Sequence, residues 1–233
     1  ETALEKTSRV LTEQHGLKLV CRGDRCATDG KTIYLPSLPD NIPDDFLGAI
    51  RGWADHECAH AIYTETPLSD EFIAEHGRAS FYILNGLEDA RIEQLMGARY
   101  PGAALNFDEA YKFVGQEIMA GNCSPLSEFN EFVDGMIMRC GGRPDVSWIR
   151  PSVYSVLDEC ADELEEFKSC TTTRETYAVA TKVWQKMKDR FELPPDPPPP
   201  PQSGDGDGDG EGEPQKGEGG SGSEEQDPQG NAG

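Results

Sequence analysis

The sequence predicts a mainly α-helical domain with one small β-sheet, followed by an acidic C-terminal tail. Apolar residues recur at helical spacing over most of the chain up to residue 193. Strand-forming residues are concentrated before residue 36. From Pro194 onward, proline, glycine and acidic residues replace the apolar ones. We therefore expect a folded domain over residues 1–193 and a disordered linker over residues 194–233, because the linker cannot bury enough apolar surface to fold.

The first elements of the domain are short. Residues 3–16 predict an opening helix. Residues 17–22 and 32–35 carry strand-forming side chains on either side of a turn at residues 27–30, which predicts a small hairpin. We expect the strand over residues 32–35 to form the edge of the sheet.

Longer helices follow the sheet. Asp40 or Asn41 is expected to cap the first of them, Pro43 suits its first turn, and the helix extends to about residue 65. Apolar periodicity predicts further helices over residues 81–96, 106–120, 127–139, 151–168 and 173–191, with a shorter helical piece after residue 69.

Charge and composition exclude several classes of partner. The chain has 43 acidic and 21 basic residues, a net charge of −22, and the linker accounts for about −9 of it. This acidity argues against nucleic acid and anionic membranes as partners. No apolar run is long enough for a membrane span, and no signal peptide pattern opens the chain. Seven scattered cysteines without a C-x-x-C pair are typical of reduced thiols in the cytoplasm.

A metal-binding motif lies in the second half of the first long helix. The sequence His56-Glu57-Cys58-Ala59-His60 places two imidazoles four residues apart, on one face of a helix, where they can hold one metal ion. Two imidazoles and a carboxylate favour Zn²⁺ over Mg²⁺ or Ca²⁺. Glu57 is then placed to accept a proton from the water that zinc activates. Cys58 points away from the ligands, and we expect it in the core.

The third ligand is expected from a later helix. Tyr63 and Thr66 occupy the positions where one large class of zinc proteases has a glycine and a third histidine, so that class is excluded. Glu88 lies on the apolar side of the helix over residues 81–96, and a carboxylate that faces a core is rare unless it is paired or bound to metal. Glu88 is therefore the predicted third ligand, which gives a gluzincin-like, zincin-type α+β domain.

Other roles for this helix stay open. Glu88 pairs with Arg91 in an alternative where the helix is solvated. Asp89 is the reserve ligand, or an acceptor that fixes a histidine tautomer, and it shares a face with Glu93. Arg91 either orients Glu88 or binds a substrate carboxylate.

A peptidase at this site also needs a peptide-binding edge and a donor for the developing oxyanion. The strand over residues 32–35 is the expected edge, since zinc proteases bind peptides by strand addition. Tyr63, His76, Tyr82 and Arg91 can each supply the donor, and the sequence does not choose among them.

The order of these motifs resembles a known family. The strand region over residues 27–36, the H-E-x-x-H helix, the segment L-E-D-A-R-I-E over residues 87–93 and the acidic linker are similar to the amino-terminal region of CobT-like proteins. These are relatives of a cobaltochelatase subunit from cobalamin biosynthesis, and are often described as metallopeptidases. The resemblance extends over about residues 26–93.

The resemblance implies zincin-like roles for the same residues. His56, His60 and Glu88 would be the metal ligands and Glu57 the base, with a linker that leads to a von Willebrand A-type domain and an AAA+ ATPase as partner. Two functions follow. The first is a zinc-dependent peptidase that acts on a protein or peptide, which the presence of Glu57 favours. The alternative is a non-catalytic subunit or adaptor of a cobaltochelatase-type complex, in which zinc only braces the fold.

Overall fold

The computed structural model describes residues 15–21, 26–36 and 41–193. Within these ranges the fold is mainly helical, with one three-stranded sheet ahead of the helices. This is the fold class that the sequence predicts. Most of the expected opening helix and the whole of the linker over residues 194–233 lie outside the described residues.

The sheet contains strands β1 (Lys18–Cys21), β2 (Ala27–Thr28) and β3 (Thr32–Leu35), in the order β1-β3-β2. Strands β1 and β3 run parallel, so the expected hairpin between them is wrong. The hairpin joins β2 to β3, and Thr28 lies opposite Ile33. The carboxylate of Asp29 accepts hydrogen bonds from the backbone of Lys31 and Thr32 at 2.9 and 2.6 Å, and Gly30 has a φ of +80°. These bonds close the turn between the two strands.

The predicted sheet edge is also wrong. Strand β3 lies in the centre and pairs on both sides, because parallel pairing with β1 fills the side that a simple hairpin would leave open. The edges of the described sheet are β1 and β2.

Eight α-helices follow within the described ranges. They are α1 (Asp44–Tyr63), α2 (Thr66–His76), α3 (Phe81–Arg99), α4 (Pro101–Ala120), α5 (Glu128–Cys140), α6 (Pro151–Asp158), α7 (Ala161–Phe167) and α8 (Thr173–Met187). A 3₁₀ turn, Arg78–Ser80, leads into α3. Pro43 is the N-cap of α1, so the expected cap at Asp40 or Asn41 is wrong, and no side chain caps that end.

One helix predicted from the sequence is divided into two helices in the structure. The helix expected over residues 151–168 breaks between α6 and α7 at Glu159 and Cys160. Val153, Leu157, Cys160 and Leu164 are all buried, so the apolar spacing continues across the break. Because the spacing does not change, periodicity alone could not reveal this break.

Helix α3 belongs to two apolar cores. Its first half, including Leu84 and Leu87, packs in a large core with α5, α6, α7 and α8. Its second half, with Ile92 and Met96, packs in a smaller core with the sheet, α1 and α4. Helix α3 therefore fixes the position of α1 relative to the helices that follow it.

Two further expectations concern the surface and the thiols. Among the described helices, none has both the length and the apolar character needed to span a membrane. All seven cysteines have free thiols. Cys58 is fully buried, as predicted, and burial raises the pKa of its thiol to about 12.

Candidate metal centre

Polar residues at four-residue spacing bring α1 and α3 together at one site. His56 and His60 lie one turn apart on α1, and Asn85, Asp89 and Glu93 lie at successive turns of α3. Side chains four residues apart share a helix face. Since the two helices pack against each other, these faces meet.

Three of these side chains converge on one point. Nε2 of His60 lies 3.1 Å from Nε2 of His56 and 3.0 Å from Oδ1 of Asp89, and the His56 to Asp89 distance is 3.6 Å. His56, His60 and Asp89 form the group among the described residues that could hold a metal ion. Four protein or water ligands around Zn²⁺ at about 2.1 Å stand about 3.4 Å apart. The observed spacing is close to that value.

The other polar atoms of these three residues are already occupied. Nδ1 of His56 lies 3.0 Å from Oε1 of Glu93, Nδ1 of His60 lies 3.1 Å from Oγ1 of Thr64, and Asn85 donates to Oδ2 of Asp89 at 3.0 Å. Metal-binding histidines usually donate their second nitrogen in this way.

The convergent atoms have fewer partners, since the hydrogen bond there joins the two Nε2 atoms to each other. A carboxylate only accepts hydrogen bonds, so the proton of a neutral His56 ring is on Nδ1, and its Nε2 presents a lone pair. Oδ1 of Asp89 is buried without a hydrogen bond among the described residues. Lone pairs that face one another at about 3 Å repel each other unless a proton or a metal ion lies between them. The donor set of two imidazoles and a carboxylate fits a divalent transition metal.

The surrounding charge also favours a cation. Burial alone would lower the pKa of His56, but the hydrogen bond with Glu93 and the charges of Asp89, Glu93 and Glu57 outweigh it and raise this pKa to about 9. Burial, with the charges of Glu131 and Asp89, raises the pKa of Asp134 to about 7. This concentration of carboxylates creates a negative potential that attracts a divalent ion.

Glu57 lies between this centre and the sheet. Its carboxylate is held by the backbone N–H of Thr28 in β2. Burial raises the pKa of Glu57, the charges of His56 and His60 oppose that rise, and the charge of Asp89 adds to it. The edge strand β2 is therefore tied directly to the residue that the sequence predicts as the base.

Glu88, the predicted third ligand, lies in a different network. It is 3 % exposed and forms an ion pair with Arg91, which is 2 % exposed. Thr173 donates to Glu88 at 2.9 Å, and Arg91 donates to the carbonyl oxygens of Tyr63 and Thr171. This network joins the end of α1 to the start of α8. The structure does not bring Glu88 together with the two histidines, and it places the reserve residue Asp89 there.

The possible oxyanion donors are mostly occupied elsewhere. Arg91 is buried in the Glu88 network. His76 packs against Phe72 and lies 3.4 Å from the Thr181 hydroxyl, on the α2 and α8 side of the domain. Tyr82 is largely exposed and packs edge-on to Phe129. None of these contacts involves the metal-binding group.

The sequence does not reveal the residues that contact Glu93, the hydrogen-bond partner of His56. Glu93 accepts from the Tyr111 hydroxyl at 3.0 Å and from Nη2 of Arg143 at 3.1 Å, while it contacts His56. Arg143 also lies over the Tyr111 ring, 4.0 Å from its centroid. The spacing of Asp89 and Glu93 placed them on one face, but no pattern linked Arg143 to a residue 50 positions earlier.

Comparison with known families identifies the relatives of this chain. Its sequence matches the family of the cobalamin biosynthesis protein CobT over residues 1–128, which is more than half of its 233 residues. The chain belongs to the CobT family. No curated protein and no solved structure matches it.

The CobT match covers the metal-binding group. His56, Glu57, His60, Asp89 and Glu93 all lie within the matched residues, on α1 and α3. Arg143 lies after the match ends at residue 128. The CobT-like resemblance predicted from motifs over about residues 26–93 is therefore confirmed, over a longer range.

Proposed function

We propose that this chain is a CobT-type subunit that binds one Zn²⁺ ion through His56, His60 and Asp89 and works within a cobaltochelatase-type complex with an AAA+ ATPase. The carrying observation is the convergence of these three side chains inside the CobT-matched residues, where Oδ1 of Asp89 is buried and receives no hydrogen bond from the part of the chain that the structure describes. In this proposal Asp89 is the third ligand, in place of the predicted Glu88.

The donor set favours zinc over harder ions. Mg²⁺ and Ca²⁺ prefer oxygen ligands, whereas two imidazole nitrogens suit a borderline-soft ion. Helices α1 and α3 supply ligands from opposite sides, so a bound ion would join them. Asn85, Thr64 and Glu93 each hold a ligand in the required orientation.

Metal analysis tests this proposal. Purified without chelators, the wild-type chain should contain one equivalent of zinc, and the Asp89→Asn variant much less. Glu88→Gln is the matched control, because it alters the neighbouring carboxylate by the same change and should retain zinc. Zinc-free wild type, or equal zinc content in wild type and Asp89→Asn, would contradict the proposal.

A second function, zinc-dependent peptide hydrolysis, is favoured by the position of Glu57. Its half-buried carboxylate lies next to the metal-binding group, and it is held by the edge strand β2. When bound, zinc would supply Lewis acid chemistry to polarise a carbonyl and acidify water. Glu57, with its raised pKa, is suited to accept a proton and pass it to a leaving amine.

The edge strand would then orient the peptide. Among the described strands, β2 pairs with β3 alone, so the backbone groups on its other side, apart from the Thr28 N–H that contacts Glu57, can pair with an extended peptide. Thr28 would contact both the peptide strand and Glu57, which places the scissile bond near the ligands. This role replaces the one expected for residues 32–35.

A Glu57→Gln variant separates the two functions. The subunit function predicts that Glu57→Gln retains zinc and binds an AAA+ ATPase partner as wild type does, and that neither wild type nor Glu57→Gln cleaves a broad peptide library. The peptidase function predicts cleavage by wild type, at least 100-fold slower in Glu57→Gln, with zinc content unchanged. Cleavage of equal rate in both proteins would exclude Glu57 as the base.

A further inference from the structure

A cleft lies near Glu93, on the side of this residue away from the metal-binding group. It has a volume of about 620 Å³ and runs between helix α4 and the segment that joins α5 to α6. Small-molecule sites commonly have volumes of about 300–1,000 Å³. The cleft is therefore large enough for a small organic molecule.

Its walls are aromatic and apolar. Tyr111 and Trp148 face it, with Met119 and Met138 at its sides. The Trp148 indole lies against Gly115, where a Cβ would come within 2.9 Å of its Nε1. The missing side chain at Gly115 lets the indole lie close to α4. Such flat surfaces suit an aromatic or planar ligand.

Its polar groups are mostly donors without partners. Among the described residues, the Lys112 ammonium, the Gln116 amide and the Trp148 indole N–H form no hydrogen bond or ion pair, although all three line the cleft. The acid in the cleft, Asp108, already pairs with Nε of Arg143 at 3.3 Å. A ligand in the cleft would therefore contact unpaired hydrogen-bond donors and one unpaired cation. Both favour a ligand with negatively charged acceptor atoms.

We propose that this cleft binds a small organic carboxylate with a planar or aromatic body, with its carboxylate at Lys112 and the Trp148 N–H and its body against Tyr111 and Trp148. The proposal does not depend on the metal-binding proposal. A phosphate alone would lack contacts for the aromatic walls, so the observations favour the organic acid.

The cleft is also connected to the metal-binding group. Arg143 lines the cleft and donates to Glu93, which in turn contacts Nδ1 of His56. A carboxylate near Arg143 would compensate part of its charge and leave Glu93 a stronger acceptor for His56. That change makes His56 a better metal ligand. Binding of the acid and of zinc should therefore strengthen each other by the same factor.

Calorimetric titration with benzoate tests the site directly. Measured on zinc-free protein and again on Asp89→Asn, benzoate should bind with one-to-one stoichiometry, while acetate and inorganic phosphate bind at least tenfold more weakly. Lys112→Ala should weaken benzoate about tenfold or more, since it removes a charge-assisted contact. Trp148→Phe retains an aromatic ring but loses the indole N–H, and it should weaken benzoate binding less than Lys112→Ala does.

The matched control is Lys188→Ala, which removes an exposed lysine outside the cleft and should leave benzoate affinity unchanged. Equal weakening by Lys112→Ala and Lys188→Ala, or no benzoate binding to zinc-free protein, would overturn the proposal. Because these titrations use protein without metal, they test the cleft even if the chain binds no zinc. Zinc affinity unchanged by saturating benzoate would overturn the connection to His56.

Discussion

Three neighbouring carboxylates on α3 have three different surroundings. Glu88 forms an ion pair with Arg91 in a buried network, and Asp89 points at the two histidines. Glu93 contacts His56 at Nδ1, the ring nitrogen that does not face Asp89. Successive residues on a helix point about 100° apart. One position along the chain therefore changes the partner completely, and each carboxylate can be tested by itself.

Asp89→Asn and Glu88→Gln should have opposite effects. Asp89→Asn removes a ligand charge, so zinc affinity should fall by at least 100-fold while the metal-free fold remains. Glu88→Gln leaves Arg91 buried without its counter-charge, so the free energy of unfolding should fall by about 3–5 kcal/mol with one equivalent of zinc retained. Zinc titration and denaturant unfolding of both variants measure this. Loss of zinc in Glu88→Gln alone would restore Glu88 as the ligand.

Glu93 should set zinc affinity without contacting the ion. Glu93→Gln removes the charge behind His56, so we expect zinc to bind about 10–100-fold more weakly. Arg143→Met removes a cation that competes with His56 for Glu93, so zinc should bind more tightly, by a smaller factor, because Tyr111 still donates to Glu93. Competition titration with a chromophoric chelator gives these affinities.

Arg139→Met is the control for Arg143→Met. Like Arg143, Arg139 pairs with two acidic residues, here Asp145 and Asp158, and its guanidinium lies 5.2 Å from the centroid of the Tyr154 ring. Its network does not include Glu93. An equal change of zinc affinity in both arginine variants, or a loss in Arg143→Met, would contradict an effect of the Arg143 charge through Glu93.

At the scale of elements, α1 and α4 approach closely through glycine. A Cβ at Gly52 would lie 2.6 Å from Cβ of Ala110 and still closer to the backbone oxygen of Asn106. Both neighbours belong to α4, and backbone atoms cannot move aside without moving the helix. The contact therefore requires glycine on the helix that carries both histidines.

Gly52→Ala should separate these two helices. We expect the free energy of unfolding to fall by about 1–3 kcal/mol or more, because the added methyl group would overpack the contact between α1 and α4. Gly102→Ala is the matched control, because it lies in α4 with nothing within 4 Å of its Cβ; its effect should be neutral or stabilising, within about 1 kcal/mol. Chemical denaturation measures the free energy of unfolding of both variants. An equal value in both would show that α1 and α4 are less closely packed than described.

Elements differ in how far their sequence determines them. Apolar spacing and the H-E-x-x-H motif predicted α1 and α3 and placed both histidines on one face. The sequence did not show the parallel pairing of β1 with β3, because a short strand region gives the same pattern in either direction. Nor did it decide between Glu88 and Asp89. That decision depends on which face of α3 meets α1, and tertiary packing sets the rotation of a helix that is buried on most sides.

At the scale of the whole molecule, the metal-binding group lies where two cores meet. Helix α1 packs in the smaller core with the sheet, and α3 packs in both. The Glu88 network ties the end of α1 to α8 on one side, and the histidines face Asp89 on the other. A zinc ion bound here would be a further link between parts that are already held by apolar packing.

Removal of zinc should therefore destabilise the domain without unfolding it. Each core is formed by buried apolar side chains and needs no ion for its packing among the described residues, so we expect the helical circular dichroism signal to persist in EDTA. Free zinc at one hundred times its Kd should add about 2.7 kcal/mol to the free energy of unfolding, or about 5–10 °C in Tm for a domain of this size. Asp89→Asn should show no such rise, and thermal unfolding with and without zinc measures both. Collapse of the helical signal in EDTA would mean that the ion, instead of apolar packing, holds the two cores together.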